Sequence, residues 1–484
     1  MWGRPISRYP RAQRPERDCT DSLGEYSARA PKKKGDWLLV RRITGGIGSS
    51  ILWASLWAFT ITLPAHAQEQ PNFIVVMADD LGYGDLGSYG AELIATPRLD
   101  RMAAEGVRLD SFYSSANVCT AARGGLLTGR YPVRLDLVSD VARPTNEIHL
   151  AEDELTLAEA LQDMGYSTAL FGKWHLGSRL EWGPLQHGFD EFFGVLHSND
   201  MTPLELYRGE QVIEDPVDQT TLTERYTREA LRFIEENRDD PFFLYLPHSF
   251  PHVPLFVSDR FEGQSDAGLY GDVVETIDWS MGEILDKLEQ LGIDEKTLVI
   301  FTSDNGPWFE GSPGPFRDRK GSSWEGGLRV PFIGRWPSVI PAGTVSQQPA
   351  MNIDVFPTLI ALAGGAPPSG RAIDGKNIMP LLSTGAATPH EALYLFNNDR
   401  IAGVRSGRWK LVVESFYRGA LPSFDNPQSY YGPNGLLFDL VKDPSETYSY
   451  TRENPSVVLR MRELLERGQR DLNSSVLPQM WNRP

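Results

Sequence analysis

Cysteine is almost absent from this sequence: its 484 residues include two, Cys19 and Cys119. Two cysteines cannot supply the disulfide framework of a small secreted domain, and they exclude a zinc site built from a cysteine cluster. The eight histidines are not spaced as HExxH, which also disfavours zinc. An isolated cysteine is most often a small buried apolar residue, so a chemical role for Cys119 requires support from its neighbours.

Long apolar runs are also missing. The run at residues 51–63 (ILWASLWAFTITL) is shorter than the about 20 residues that span a membrane. A basic segment precedes it and Pro-Ala-His-Ala follows it, which is the arrangement of a secretory signal peptide. We therefore predict that residues 1–67 are cleaved after Ala67, that the mature protein is periplasmic or secreted, and that it has no stable membrane association. An uncleaved anchor that extends back to residue 47 is the alternative.

Positively charged residues are fewer than negatively charged ones. The sequence has 47 Lys and Arg residues and 64 Asp and Glu residues, which gives a formal net charge of −17. Residues 1–67 hold 11 of the basic residues and 5 of the acidic ones, so the remaining chain carries about −23. That remaining chain keeps Cys119 and loses Cys19. Its acidity repels nucleic acid and anionic membranes, which excludes both as general partners. An anionic substrate would need a local cluster of cations.

Apolar runs alternate with helical patterns through most of the remaining chain. The predicted strands are residues 73–78, 167–171, 242–246 and 298–301, and the predicted helices are residues 97–105, 155–164, 223–237 and 270–291. Strands that alternate with helices imply an α/β fold with a mostly parallel central sheet flanked by helices. We assign this pattern to a catalytic domain at residues 68–388, which a helix at residues 351–364 is predicted to close.

The pattern changes at about residue 390, where short strand patterns follow one another. They are ALYLF, IAGVRS, WKLVV and GLLFDL, and a helical pattern follows them at residues 457–471. These features predict a smaller C-terminal domain at residues 389–484, built from an antiparallel sheet plus a helix.

Metal-ligand and cationic residues follow four of the predicted strands at their carboxyl ends. They are Asp79 and Asp80 after the first strand, Lys173 and His175 after the second, His248 and His252 after the third, and Asp304 and Asn305 after the fourth. Open parallel sheets bind ligands at this edge, so the sequence predicts one active site there. His248 and His187 are predicted to be structural hydrogen-bonding residues instead, and Trp174 is predicted to belong to the core.

The acidic residues at this edge predict a metal site. Asp79, Asp80, Asp304 and Asn305 supply three carboxylates and one amide oxygen. Oxygen ligands suit a hard divalent cation, and Ca²⁺ is favoured over Mg²⁺ where protein ligands dominate. An Asp-Asp pair alone is more often a turn or a helix cap, but the second pair after a separate strand favours the metal.

Cys119 begins the segment CTAARGGLLTGR at residues 119–130. The segment predicts a helix that starts at or just after the cysteine. The free N–H groups and partial positive charge of a helix N-terminus stabilise anions. Arg123 follows one helical turn later and therefore shares a face with Cys119. A nucleophile and a cation in this arrangement suit a tetrahedral oxyanion ester.

Several of these motifs together resemble the type I sulfatases, of the alkaline-phosphatase-like superfamily. The Cys119-Thr-Ala121-Ala-Arg123 segment matches the family pattern Cys-x-Pro/Ala-x-Arg and continues into Leu-Leu-Thr-Gly-Arg. The other matching segments are residues 72–84 (NFIVVMADDLGYG), 165–177, 303–306 and 320–327 (KGSSWEGG). The resemblance covers roughly residues 70–450 and favours the arylsulfatase and N-acetylgalactosamine-6-sulfatase branch.

The resemblance implies that Cys119 is oxidised to formylglycine, whose hydrate attacks the sulfur of a sulfate ester. It implies that Asp79, Asp80, Asp304 and Asn305 bind calcium and that Arg123 helps to activate the nucleophile. It assigns His175 as the base that releases the covalent sulfate. It implies that Lys173, His252 and Lys320 bind the oxygens of the sulfate and of the leaving group. It also suggests that Ser198 contacts the nucleophile. The substrate would be a sulfated carbohydrate or an aryl sulfate. Loops at residues 197–216 and 414–434 are predicted to line its pocket, and His197 is either a pocket residue or an ordinary loop residue.

One position departs from the most frequent family pattern. Ala121 occupies a place where many members have proline, so maturation would need either a tolerant formylglycine-generating enzyme or an anaerobic maturation enzyme. Two other functions remain as alternatives. The first is a phosphatase or phosphonate monoester hydrolase on the same scaffold, and the second is a carbohydrate-binding relative whose cysteine is never modified.

Overall fold

The computed structural model describes residues 70–415, 431–432 and 434–473. The predicted signal peptide and most of the predicted 414–434 loop lie outside the described residues. These described residues all belong to one compact unit. The domain boundary after residue 388 stays a prediction.

Among the described residues, ten strands form the main sheet, and six further strands lie in two smaller sheets. Along the chain the strands are β1 (Asn72–Ala78), β2 (Val107–Leu109), β3 (Phe112–Tyr113), β4 (Ser167–Lys173), β5 (Glu191–Val195), β6 (Leu206–Arg208), β7 (Gln211–Glu214), β8 (Phe242–Pro247), β9 (Thr297–Ser303), β10 (Phe332–Arg335), β11 (Thr344–Ser346), β12 (Ala350–Met351), β13 (Leu393–Asn397), β14 (Arg400–Ser406), β15 (Trp409–Val412) and β16 (Leu436–Asp439). The main sheet has the order β11-β2-β10-β9-β1-β8-β4-β5-β6-β7.

The five central strands, β9, β1, β8, β4 and β5, are parallel to one another. Every residue of β1 is buried, because its apolar run packs against a hydrophobic cluster on each face of the sheet. These observations confirm the predicted α/β fold with a mostly parallel central sheet. The sheet is extended at both ends by antiparallel pairings that were not predicted, such as β10 with β9 and β5 with β6.

Helices cover both faces of the main sheet. They are α1 (Pro97–Glu105), α2 (Cys119–Thr128), α3 (Leu157–Gln162), α4 (Leu222–Glu236), α5 (Gly268–Leu291), α6 (Glu325–Leu328), α7 (Val355–Leu362), α8 (Met379–Thr384) and α9 (Pro455–Asn473). Apolar residues of α1, α4 and α5 join one core cluster, and those of α2, α3 and α7 join the other. The helix predicted over residues 351–364 is shorter than expected, because its first residues form β12 and a 3₁₀ turn. Within the described residues, no helix is both long and apolar enough to cross a membrane.

The C-terminal segment forms the predicted antiparallel sheet, in the order β13-β14-β15-β16. Helix α9 packs against it through Val458, Met461, Leu464 and Leu465, in a cluster that also includes Tyr113 and Leu328 of the catalytic part. The two parts of this unit therefore share a continuous apolar contact.

A buried ionic cluster also joins the small sheet to the catalytic part. Lys410 of β15 lies between two carboxylates, 3.0 Å from Glu325 Oε1 and 2.8 Å from Glu446 Oε1. Tyr113 donates a hydrogen bond to Glu325 Oε2 at 2.6 Å, and the Glu325 N–H donates to Glu446 Oε2 at 2.7 Å. Glu325 begins α6, five residues after Lys320, so this cluster fixes the segment that carries Lys320 into the site.

Replacing Lys410 by methionine should therefore reduce stability by about 3–5 kcal/mol, because it leaves two buried carboxylates without their shared cation. Urea unfolding measures the loss, and Lys442→Met provides a control on an exposed lysine of the same domain. Adding Glu446→Gln to Lys410→Met should recover part of the loss, since Arg329 Nη1 still lies 3.1 Å from Glu325 Oε2 and the substitution neutralises the other carboxylate. Equal stability of the Lys410 and Lys442 variants would contradict this account of the cluster.

Candidate active site

The carboxyl ends of the five central strands bring the predicted site residues to one edge of the sheet. Register explains the convergence, since Ala78 pairs with Ser303 and the Asp304 N–H donates to Ala78 O at 3.2 Å. Asp79 and Asp80, which follow β1, therefore lie beside Asp304, which follows β9. Lys173 ends β4 on the other side of β8, and a glycine precedes it because a Cβ at Gly172 would lie 1.9 Å from Pro247 O.

The acidic residues form a compact cluster. The Asp80 N–H donates to Asp304 Oδ1 at 3.1 Å, and Asn305 Nδ2 donates to Asp80 Oδ1 at 2.7 Å. Asp80 adopts a left-handed backbone with φ of 67°, a strained conformation for a non-glycine residue that directs its carboxylate into the cluster. Ligand atoms of Asp79, Cys119 and Asp304 all lie within 4.8 Å of one another.

Two buried oxygens test whether this cluster fits a metal ion. Within the described part of the chain, Asp79 Oδ1 and Asn305 Oδ1 have no hydrogen-bond partner, although Arg123 Nη2 lies 3.3 Å from the former. Buried polar atoms are normally satisfied, so these oxygens indicate a missing partner. Three carboxylates and an amide oxygen fit a hard cation such as Ca²⁺.

Three cations surround the same carboxylates. Arg123 is fully buried and donates through Nη2 to Asp304 Oδ2 at 2.9 Å and through Nη1 to Lys173 O at 2.8 Å. Lys173 Nζ donates to Asp79 Oδ2. Lys320 Nζ lies 2.8 Å from Asp80 and 4.0 Å from Cys119 Sγ. A divalent ion would compete with these side chains for the carboxylates and leave their N–H groups available to an anion.

The pKa values of two neighbouring carboxyls move in opposite directions. Burial opposes ionisation of Asp79, but Lys173 and Arg123 together hold its pKa well below the usual range. Burial, followed by repulsion from Asp79, raises the pKa of Asp304 to about 7. The carboxylates are thus packed too closely for all of them to ionise easily without additional positive charge.

Cys119 is the first residue of α2, as the sequence predicts, and is buried at the base of a pocket. Burial raises the pKa of its thiol despite the nearby Lys320 and Lys173. The helix can approach the core closely because its glycines lack side chains: a Cβ at Gly125 would lie 2.3 Å from Ser115 Oγ. The sequence of α2 therefore positions the cysteine at the end of the helix that favours anions.

The two predicted site histidines are held through one ring nitrogen each. His175 Nε2 lies 3.0 Å from Ala142 O, and its Nδ1 has no partner among the described residues. Burial, with repulsion from Lys173 and Arg123, lowers the pKa of His175 well below its usual value, so the ring is neutral. His252 Nδ1 lies 2.6 Å from Val253 O, which makes Nδ1 the protonated nitrogen and leaves Nε2 directed at Asp80, 3.8 Å away.

Ser198 and Asn199 follow β5 at the same edge. Ser198 Oγ accepts a hydrogen bond from Lys173 Nζ at 3.1 Å and lines the pocket with Cys119. Asn199 was not predicted: its Oδ1 lies 3.0 Å from His252 Nδ1, so it helps to orient that ring. Its position directly after Ser198 at a strand end was the available signal.

Three further histidines, His187, His248 and His197, were given no catalytic role by the sequence. His187 and His248 are buried, and burial lowers their pKa values to about 4 and about 3. Within the described residues, neither ring of these two has a hydrogen-bond partner, so their predicted hydrogen bonds stay a prediction. His187 packs 5.5 Å from the ring of Trp174, which is a core residue as predicted. His197 Nδ1 lies 3.1 Å from Ser198 O.

Comparisons with known proteins agree with this geometry. Residues 71–366 match the family model described as Sulfatase, and residues 316–471 match the model described as N-sulphoglucosamine sulphohydrolase, C-terminal. The human steryl-sulfatase is 34% identical, over 86% of this chain and 91% of that protein. The dog N-acetylgalactosamine-6-sulfatase is 37% identical, over 84% of this chain and 87% of that protein.

A solved structure extends the likeness to three dimensions. The PsFucS1 sulfatase from Pseudoalteromonas sp. superposes with a TM-score of 0.77 at 27% identity, over 84% of this chain and 91% of that one. The family model alone spans more than half of the chain, and it includes both acidic pairs and Cys119. The protein is therefore a member of the type I sulfatase family, and a sulfuric ester hydrolase.

Proposed function

We propose that this hydrolase removes sulfate from a sulfated carbohydrate, with residue 119 acting as formylglycine and a calcium ion held by Asp79, Asp80, Asp304 and Asn305. The observation that carries the proposal is the juxtaposition of Cys119 with a buried carboxylate cluster and three cations. Formylglycine would supply an activated hydroxyl, and calcium would supply positive charge beside it.

The chain's own side chains have separable tasks in this proposal. Arg123 and Lys173 are fully buried, so they provide fixed positive charge next to residue 119. Lys320, 13% exposed, lies at the pocket wall where it can bind an oxygen of the ester. Preorganised charges of this kind stabilise the developing negative charge of the transition state. The neutral ring of His175 can accept a proton through Nδ1.

The proposed location and partners rest on sequence features. The signal-peptide pattern of residues 1–67 supports export to the periplasm or the exterior. Maturation of residue 119 would require a formylglycine-generating or anaerobic maturation enzyme that tolerates Ala121. Export would bring the enzyme to extracellular sulfated saccharides, and Arg123, Lys173 and Lys320 would supply the local cations that an anionic substrate needs on an acidic protein. Aryl sulfates serve as convenient probes.

A pair of matched esters tests the proposal against the phosphatase or phosphonate monoester hydrolase alternative. We expect kcat/KM for 4-nitrophenyl sulfate to exceed that for 4-nitrophenyl phosphate by at least about tenfold. The reason is that a second metal site would favour the more highly charged phosphate, whereas this edge of the sheet supplies Lys173, Lys320 and His252 instead. A higher kcat/KM for the phosphate would replace sulfatase by phosphatase as the main activity.

A further inference from the structure

The pocket that Cys119 lines also has lining residues that the proposed reaction does not use. The pocket encloses about 250 Å³. Besides the proposed reacting groups, its lining includes valines and Met201, an aromatic side chain, Trp308, and two side chains of opposite charge, Arg143 and Asp200. Because these residues share the cavity with Cys119, they can determine which substrate is accepted.

Trp308 gives the pocket an aromatic surface, and Phe309, which does not line the pocket, packs against the Trp308 ring. The two rings pack edge to face with centroids 5.0 Å apart, and Phe309 is 58% exposed. Arg319 fixes the segment by donating through Nη1 to Trp308 O at 2.9 Å. A rigid aromatic surface at the mouth of a pocket favours a ring with an apolar face, such as a pyranose.

Arg143 has a fixed backbone and a loosely held tip. Its N–H donates to Asn146 Oδ1 at 3.0 Å, and its carbonyl oxygen accepts from Ser178 Oγ at 2.8 Å. Its side chain is 37% exposed, and its guanidinium contacts Asp140 at 3.3 and 3.4 Å, distances beyond the usual hydrogen-bond range. A half-exposed pair of this kind is weak, so Arg143 can exchange Asp140 for an anionic ligand at little cost.

The charges of the pocket indicate what Arg143 would bind. A wholly apolar leaving group would remove Arg143 and Asp200 from water without offering a partner to either. A second anionic group would be repelled by Asp200 and by the acidic chain, except beside Arg143. The planar guanidinium matches carboxylate and sulfate oxygens with two parallel hydrogen bonds.

We propose that Arg143 binds a second anionic group, a carboxylate or a sulfate, on the saccharide from which the first sulfate is removed. This inference rests on the proposed function and makes it narrower: the substrate is a polyanionic saccharide whose ring packs on Trp308. Arg143 then determines specificity, and Asp200 opposes binding of any substrate whose second charge lies on the wrong side of the ring.

Binding to the full-length, calcium-loaded Cys119→Ala protein tests the proposal without turnover. Three probes are titrated by calorimetry: N-acetylgalactosamine 6-sulfate, its 4,6-disulfate, and a disaccharide in which the 6-sulfated sugar is linked to a uronate. We expect one or both of the doubly charged probes to bind about tenfold more tightly than the monosulfate. A preference for the disulfate identifies sulfate as the second group, and a preference for the disaccharide identifies carboxylate.

Substitutions assign this preference to its residue. Arg143→Ala should abolish the preference, Arg143→Lys should retain part of it, and Asp200→Asn should increase it roughly threefold by removing a like charge. Arg179→Ala is the matched control, because Arg179 is about as exposed and pairs with Glu147 and Glu181 outside the pocket. Because the substitutions at Arg143 and Asp200 are expected to change the preference in opposite directions, they distinguish ligand binding from a structural effect.

The outcomes separate this inference from the function on which it rests. If the doubly charged probes bind no more tightly than the monosulfate, or if their preference survives Arg143→Ala, Arg143 does not select the substrate. The same conclusion holds if no saccharide probe binds while the Cys119 protein still hydrolyses 4-nitrophenyl sulfate. If the matured Cys119 protein hydrolyses no sulfate ester at all, the proposed function itself fails.

Discussion

Replacing Cys119 by alanine should lower kcat by at least about 10⁴-fold, the size of loss that follows removal of an enzyme nucleophile. The surrounding charges of Arg123, Lys173 and Lys320 remain in this variant, so it should still bind a sulfate ester. Loss of kcat with little change in substrate affinity is therefore the expected result. Steady-state hydrolysis of 4-nitrophenyl sulfate and calorimetric binding of the same ester measure the two quantities separately.

Cys119→Ser is the informative companion to this variant. Serine is close in size to cysteine and supplies one hydroxyl, but it cannot provide the second hydroxyl of a hydrated aldehyde. We expect it to give no sustained turnover either. Mass spectrometry of the active protein should find the peptide of residue 119 with one sulfur and two hydrogens replaced by one oxygen. An active protein in which this peptide carries unmodified cysteine would overturn the role of formylglycine.

Thermal unfolding shows whether either variant has lost its fold. Thr120→Ser serves as a matched control, because its hydroxyl can keep the hydrogen bond to His175 O at the neighbouring position of α2. This control should retain most of its activity, and an equal loss in it would mean that α2 tolerates no change rather than that Cys119 reacts.

The reactive edge of the sheet was predictable because its strands are buried on both faces. A strand such as β1 must then be an uninterrupted apolar run, and the first polar residues after it, Asp79 and Asp80, mark the point where it leaves the core. Five parallel strands place such points side by side. The elements at the margins were harder to predict, since β2, β6 and β11 have three residues each and carry no detectable periodicity.

The supporting contacts of the site could not be predicted in the same way. Glu325 and Lys410 are 85 positions apart, and in the sequence each resembles an ordinary surface charge. Their burial depends on how the small sheet packs against α6, which no local pattern encodes. The same applies to Asn199, whose contact with His252 joins two strand ends. Motifs identified the groups that are proposed to react, whereas tertiary packing determines the groups that hold them.

Removal of the divalent cation should also cause a large loss of activity, though a smaller one than loss of Cys119. We expect a chelator to lower kcat by about 10²- to 10³-fold, the effect of deleting a strong preorganised charge from an active site. Asp304→Asn should have a similar effect, because this carboxylate faces Asp79, Asp80 and Arg123 in a fully buried cluster. Asp259→Asn, on an exposed aspartate, is the matched control.

Stability gives this prediction a readout that does not depend on activity. A cation that binds the folded state alone stabilises it by about 2.7 kcal/mol at 100 times its Kd, so calcium should raise the Tm of the chelated protein. Asp304→Asn should reduce that increase, and Asp259→Asn should preserve it. Mg²⁺ should be less effective, because it demands a tighter octahedral shell and keeps its waters. If calcium shifts neither Tm nor kcat, the unpartnered oxygens of Asp79 and Asn305 need another explanation. The negative charge of the carboxylates would then be compensated by Arg123, Lys173 and Lys320 alone.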